Sequence, residues 1–124
     1  MRDRLQATIA ALAVSLEQKE LSGTALGNWR WQARQRLVTI RDDLGSEPAY
    51  FSEGWLAARA GAVLRERNVL MSRLMELGPV VLGEGDMDRV RADLRRLLTD
   101  LKHHLQRLSD LAYDDVEMEI GGSE

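Results

Sequence analysis

Apolar residues recur every three or four positions through most of the chain, the spacing that places them on one face of an α-helix. This pattern predicts helices over residues 4–20, 26–44, 53–77 and 86–113. The predicted core stripes of the first two helices are Leu5, Ile9, Leu12, Leu16 and then Leu26, Trp29, Ala33, Leu37, Ile40, Leu44. Those of the last two are Leu56, Ala60, Val63, Leu70, Leu74, Leu77, widened by Leu64, Met71, Met75, and then Met87, Val90, Leu94, Leu97, Leu101, Leu108, Leu111.

Glycine and proline mark the ends of these helices. Gly23, Gly45 and the Gly78-Pro79 pair predict helix stops, and Ser52 is the expected N-cap of the third helix. Because the helices are joined by short connections, we predict an all-α, antiparallel, up-down-up-down four-helix bundle. An obligate dimer that completes the bundle in trans is the alternative.

The C-terminal segment has a different pattern. Acidic and apolar residues alternate over residues 115–120, which is the period of a strand, and acids oppose the negative end of a helix dipole. We therefore predict a bundle domain over residues 1–113 and a short, extended, acidic tail over residues 114–124. The tail could be a loosely ordered, solubilising terminus. It could also dock on a partner's sheet edge or groove through Val116, Met118 and Ile120.

Composition narrows the classes of protein. A length of 124 residues suits one domain, and the absence of cysteine excludes disulfides, zinc–thiolate sites, iron–sulfur clusters and thiol catalysis. No apolar run is long enough for a membrane span and no signal peptide is apparent, so we expect a cytoplasmic protein. Fifteen arginines against two lysines indicate a GC-rich bacterial genome. Residues 1–109 carry 17 basic and 14 acidic residues, whereas residues 110–124 carry six acids and no base.

One arginine falls where the pattern calls for an apolar residue. Arg67 lies in the middle of the third stripe, between Val63 and Leu70, where an unpaired guanidinium would be costly. It must extend to solvent, pair with an acid, cross an interface or face an anion. Asp100 and His104 share one side of the fourth helix. Together with Arg67 they define an alternative function, a bundle that binds a small molecule, an anion or a metal.

A helical di-metal centre needs two acid-x-x-His motifs and two further acids. This chain has one such motif, and its first three predicted helices contain no histidine. We therefore predict no resident metal and no cofactor, and an ordinary structural ion pair is the simpler role for Arg67.

Several aromatic residues fall outside the predicted core. Trp31 and Val38 share a stripe opposite the core face of the second helix, and Trp55 lies off the main stripe of the third, preceded by Tyr50 and Phe51. Exposed aromatics often mark a partner surface. Alternatively, a loop or the tail could cover Trp31, while Tyr50, Phe51 and Trp55 could seal one end of the bundle. Trp31, Val38 and Trp55 are the predicted partner-binding residues of the bundle.

Nucleic acid is not an expected partner. Arginine rows on two helices would suit phosphates, but acids are interspersed and no recognised binding motif is present. No catalytic constellation is visible either. The leading hypothesis is a non-enzymatic interaction or adaptor protein that acts through protein–protein contacts, with a homodimer expected.

The C-terminal part of the chain also resembles a known group. The segments LRRLL (94–98), HHLQR (103–107), YDDV (113–116) and GGSE (121–124) resemble the C-terminal end of small uncharacterised helical proteins of actinobacteria. The resemblance covers the last quarter to third of the chain and agrees with the GC-rich composition. That group has no established activity, so the resemblance implies no functional residue.

Overall fold

The computed structural model describes residues 2–46, 54–83 and 85–122, with side chains for residues 3–46, 58–83 and 85–113. In these residues the chain forms four helices and no strand: α1 (Arg2–Ser15), α2 (Gly23–Gly45), α3 (Gly54–Leu82) and α4 (Met87–Gly122). The prediction of an all-α four-helix bundle is confirmed.

A single core draws on all four helices. It contains most of the predicted stripe residues, because each stripe faces the bundle axis. The buried apolar residues of this core are Leu5, Ile9, Leu12, Leu16, Trp29, Ala33, Leu37, Ile40, Leu44, Leu70, Leu74, Val81, Val90, Leu94, Leu97, Leu98, Leu101 and Leu105.

The helices that are adjacent in sequence pack on each other, most extensively α2 on α3, whereas α1 and α4 meet least. Arg4 Nε near the start of α1 donates to Asp43 Oδ2 near the end of α2 at 2.8 Å. Trp29 Nε1, early in α2, donates to the carbonyl of Ser15 at 2.9 Å. These two contacts join opposite ends of α1 and α2, so these two helices run antiparallel. The weak α1–α4 contact leaves a groove on that side of the bundle.

The third stripe is less buried than its pattern predicts. Leu70 and Leu74 are buried, but Leu64 is 38% exposed and Met75 is 60% exposed, so the predicted widening of the stripe is wrong at those two positions. Gly45, the last residue of α2, lies against Met71. The part of α3 that precedes Met71 extends beyond the end of α2, and it therefore has less to pack against.

α1 ends earlier than predicted, at Ser15 rather than at residue 20. The carbonyl of Ser15 accepts from Trp29, and that of Leu16 accepts from Arg95 Nη2 at 3.1 Å. Side chains from α2 and α4 thus satisfy carbonyls that a longer helix would use itself. Gly23 has the predicted left-handed conformation, with φ 57°, but it opens α2 instead of closing α1.

The predicted stop at Pro79 is also wrong, because α3 continues to Leu82 with the proline inside it. A proline removes one backbone hydrogen bond from the helix. The side chain of Val81, which is fully buried, compensates by packing the last turn of α3 against the core. Arg30 Nη1 donates to the carbonyl of Val81 at 3.1 Å and to that of Gly83, which places a cation at the negative end of the helix.

The extended tail predicted from residue 114 is a third correction. The backbone of α4 stays helical to Gly122. Adding a residue to an existing helix costs far less than starting a new one. Glutamate and methionine, which occupy residues 117–119, have high helix propensity. Acids near the helix end therefore do not suffice to stop it.

Several predictions fall outside the described residues. The N-cap at Ser52 and the aromatic pair Tyr50 and Phe51 lie in the segment between α2 and α3 that is not described. The side chains of Trp55, Val116, Met118 and Ile120 also lie outside the described part. In the described helices, no segment is long and apolar enough to cross a membrane.

Candidate functional site

The predicted exposed stripe of α2 leads to the main candidate site. Trp31 is 59% exposed, and Val38, two turns further along the same face, is half-buried. Arg34 and Arg41 lie on the flank of this face that turns toward α3. The face therefore presents a large aromatic side chain beside two basic residues.

α3 supplies the opposite side of this surface. Met75 is 60% exposed and Leu82 is 45% exposed. Gly78 lies between them on the same helix face, and there is open space where its Cβ would be. We call these residues the Trp31 surface: Trp31, Arg34, Val38, Arg41, Met75, Gly78 and Leu82.

A shallow cleft of about 140 Å³ lies between the two helices in the part of this surface beyond Trp31 and Leu82, which do not line it. Its lining includes Arg34, Val38, Arg41 and Met75. Arg34 has no hydrogen bond or ion pair with any described residue. Arg41 Nη2 lies 3.4 Å from Asp42 Oδ1 in an exposed pair, a geometry that contributes little. The surface is apolar and basic, with most of its positive charge available to a partner.

The arginines at the start of α4 have a different role. Arg91 Nη2 donates to the carbonyl of Gln18 at 2.8 Å, and its guanidinium lies 5.8 Å from the centre of the Trp29 ring. Arg95 caps the end of α1, as described above. Arg91 and Arg95, two residues of the basic row on α4, thus hold the bundle together.

The structure distributes the predicted polar centre over two separate pairs. Asp100 Oδ2 accepts from Arg73 Nη1 at 2.6 Å, and His104 pairs with Glu66. Arg67 is half-buried and is not without a partner. The sequence pattern identified His104 but missed both Glu66 and Arg73, because their partners lie on another helix.

His104 is the most unusual polar residue of the core. Its side chain is 0% exposed, and its Nδ1 lies 2.6 Å from Glu66 Oε1. Its Nε2 is buried without a hydrogen-bond partner among the described residues. Glu66 also accepts from Arg107, through Nε at 3.0 Å and Nη2 at 2.6 Å. We call Glu66, His104 and Arg107 the polar cluster.

The charge of Glu66 is stabilised within this cluster. Burial acts to raise the pKa of Glu66, but the hydrogen bonds from Arg107 and His104 outweigh it, so the pKa lies below its usual value. A carboxylate beside Nδ1 requires that this nitrogen carries a proton, so Nδ1–H donates to Glu66. That geometry resembles a general-base pair, but His104 is fully enclosed. A substrate could not reach Nε2 unless the helices separated.

In the described part of the chain, no group of three or more histidine, aspartate or glutamate side chains could hold a metal ion. Comparison with known proteins adds no functional assignment. No family model matches the chain, and neither a curated protein nor a solved structure matches it.

Proposed function

We propose that this chain is a non-enzymatic interaction protein that acts through protein–protein contacts at the Trp31 surface. The observation that carries the proposal is the exposure of two large apolar side chains, Trp31 on α2 and Met75 on α3, each about 60% exposed. Met75 lines the cleft between these helices together with Arg34, which has no partner among the described residues. Tryptophan and arginine are the residue types that contribute most at interfaces. We also propose that the protein is bacterial and cytoplasmic, as expected from its sequence.

The partner that best fits this surface is the end of α4 from a second copy of the chain. Residues 110–122 carry five acids and no base, and their backbone is helical. α2 carries four arginines against two aspartates. The two segments therefore have opposite charge, and a helix lying in a groove is a common recognition mode. Each copy would offer both halves of the contact, as a two-fold symmetric dimer requires.

Sedimentation equilibrium on the full chain tests this proposal. We expect a dimer, and Trp31→Ala should weaken it about 30-fold, the equivalent of losing about 2 kcal/mol at an interface hot spot. Val69→Ala is the matched control, because Val69 is also 59% exposed but lies outside the Trp31 surface. A wild-type monomer at high micromolar concentration, or equal weakening by both variants, would contradict the proposal.

The acidic half of the contact has its own test. Replacing Asp114 and Asp115 by Asn, and Glu117 and Glu119 by Gln, removes charge without shortening α4. The dimer should weaken, and raising the salt concentration should weaken the wild-type dimer in the same direction. A dimer that is indifferent to both changes would exclude the end of α4 as the partner.

The alternative function, a bundle that binds a small molecule, an anion or a metal around Arg67, Asp100 and His104, stays a prediction. The ion pair of Asp100 with Arg73 and the full burial of His104 make it the less favoured reading. Thermal unfolding with inorganic phosphate or zinc would test it. A stabilising shift that Arg67→Leu or His104→Ala abolishes would support this alternative over the interaction protein.

A further inference from the structure

A second concave region lies on the other side of the bundle, where α1 and α4 meet least. This groove has a volume of about 490 Å³, within the range of roughly 300–1,000 Å³ typical of small-molecule sites. Ile9 and Leu105, both buried, form its floor. Ala10, Ala13 and Val14 form the α1 wall, and Val14 is 71% exposed. The apolar wall is thus open to a ligand.

Among the described residues that line this groove, the charged side chain is positive. Its polar lining consists of Gln6, Lys102, Gln106 and Ser109, and none of the described residues that line it is acidic. Gln106 donates to Asp110 Oδ1 at 2.9 Å, so its amide group is already engaged. Lys102 has no hydrogen bond or ion pair with any described residue. The groove therefore offers an unpaired ammonium group beside an apolar floor.

We propose that the α1–α4 groove binds a free medium-chain fatty acid, with its carboxylate at Lys102 and its alkyl chain over Ile9 and Leu105. The groove runs from Gln6 to Val14, about 12 Å at 1.5 Å per residue. That length suits a medium alkyl chain. This site is separate from the Trp31 surface and does not depend on the proposed dimer.

Calorimetric titration of the full chain with decanoate tests the charge. Lys102→Met should weaken decanoate binding about fivefold, the effect of one exposed ion pair. Lys19→Met is the matched control, because it removes the other lysine of the chain, which is exposed and does not line the groove. Binding of decanol, which has the same tail without the charge, should not change in Lys102→Met. No decanoate binding, or equal losses in both lysine variants, would overturn the proposal.

A second pair of variants tests the location. Ala10→Phe places a ring in the groove from an exposed position and should abolish decanoate binding, whereas Ala7→Phe, also exposed on α1 but outside the groove, should leave it intact. Retained binding in Ala10→Phe would overturn the proposal. So would a wild-type dimer that Ala10→Phe dissociates, because the groove would then be an interface between copies. Co-elution of the wild type with phosphatidylglycerol vesicles, lost in Lys102→Met, would point instead to a membrane surface.

Discussion

Removing the carboxylate of Glu66 should cost more stability than its exposed position suggests, because it leaves His104 without a partner. Glu66 is 30% exposed, but His104 is 0% exposed and its Nε2 is already unpaired. In Glu66→Ala both ring nitrogens of a buried imidazole would lack hydrogen bonds. Leaving a buried polar group unpaired costs about 1–3 kcal/mol. We expect a loss of about 2 kcal/mol, or roughly 8 °C in the unfolding midpoint.

Two further variants separate the cost of leaving His104 unpaired from the cost of losing the ion pair between Glu66 and Arg107. Arg107 is 49% exposed, so Arg107→Ala should cost at most about 1 kcal/mol. His104→Leu removes the imidazole and its unpaired nitrogen together and should be close to neutral, because replacing a buried polar group by an apolar one of similar shape leaves nothing unsatisfied. In the His104→Leu background, Glu66→Ala should therefore cost much less than in the wild type.

Urea unfolding followed by far-UV circular dichroism, on the wild type, the three single variants and the double variant, measures this coupling. The account requires Glu66→Ala to be the most destabilising of the three single variants. It is refuted if Glu66→Ala costs the same with and without His104. It is also refuted if Arg107→Ala costs more than Glu66→Ala.

Three further predictions concern the same fold. The pKa of Glu66 is lowered in the folded state. Its contribution to the free energy of unfolding is therefore full above the ordinary pKa of a glutamate and is lost as pH falls through the lowered value. Glu66→Gln should flatten that part of the stability–pH curve measured by urea unfolding. Leu101→Ala, at a fully buried position, should cost about 2–5 kcal/mol by the same method, whereas Val80→Ala, which is 46% exposed, should stay within about 0.5 kcal/mol. Arg30→Ala should speed amide hydrogen exchange in the last turn of α3, while Arg36→Ala should not, because the carbonyls at that end accept from Arg30.

The core of this bundle was largely readable from the sequence. The heptad stripe of α4 placed Leu94, Leu97 and Leu101 at the centre of the core, and all three are fully buried. This success has a simple reason, since the periodicity of a helix face is a local property of the chain. The position of Trp31 outside the core followed from the same periodicity.

The ends of α1 and α3 could not be predicted in the same way, because tertiary contacts decide them, whereas α2 ends at the predicted stop, Gly45. Pro79 is a stop signal by local rules, yet the helix continues because Val81 is buried and Arg30 caps the carbonyls beyond it. Likewise, the end of α1 depends on Trp29 and Arg95, which come from other helices. Local patterns do not contain these contacts.

The polar cluster could not be predicted from the sequence for a related reason. The sequence placed His104 and Asp100 on one side of α4, but the acceptor of His104 depends on the register of α3 against α4. A shift of one residue on α3 would have placed Arg67, instead of Glu66, next to His104. Met75 was assigned to the core because a wide stripe does not reveal where the neighbouring helix lies.

The most direct test of the interaction proposal is a photo-crosslink from the Trp31 surface. Gln35, which lies one turn beyond Trp31 on α2 and borders the Trp31 surface, would be replaced by benzoylphenylalanine and the products mapped by mass spectrometry. The account predicts an intermolecular crosslink to residues 110–122 of a second copy, and none from the same probe at the exposed Thr99. Crosslinks to another part of the chain, or no intermolecular product at concentrations where the protein is dimeric, would contradict it.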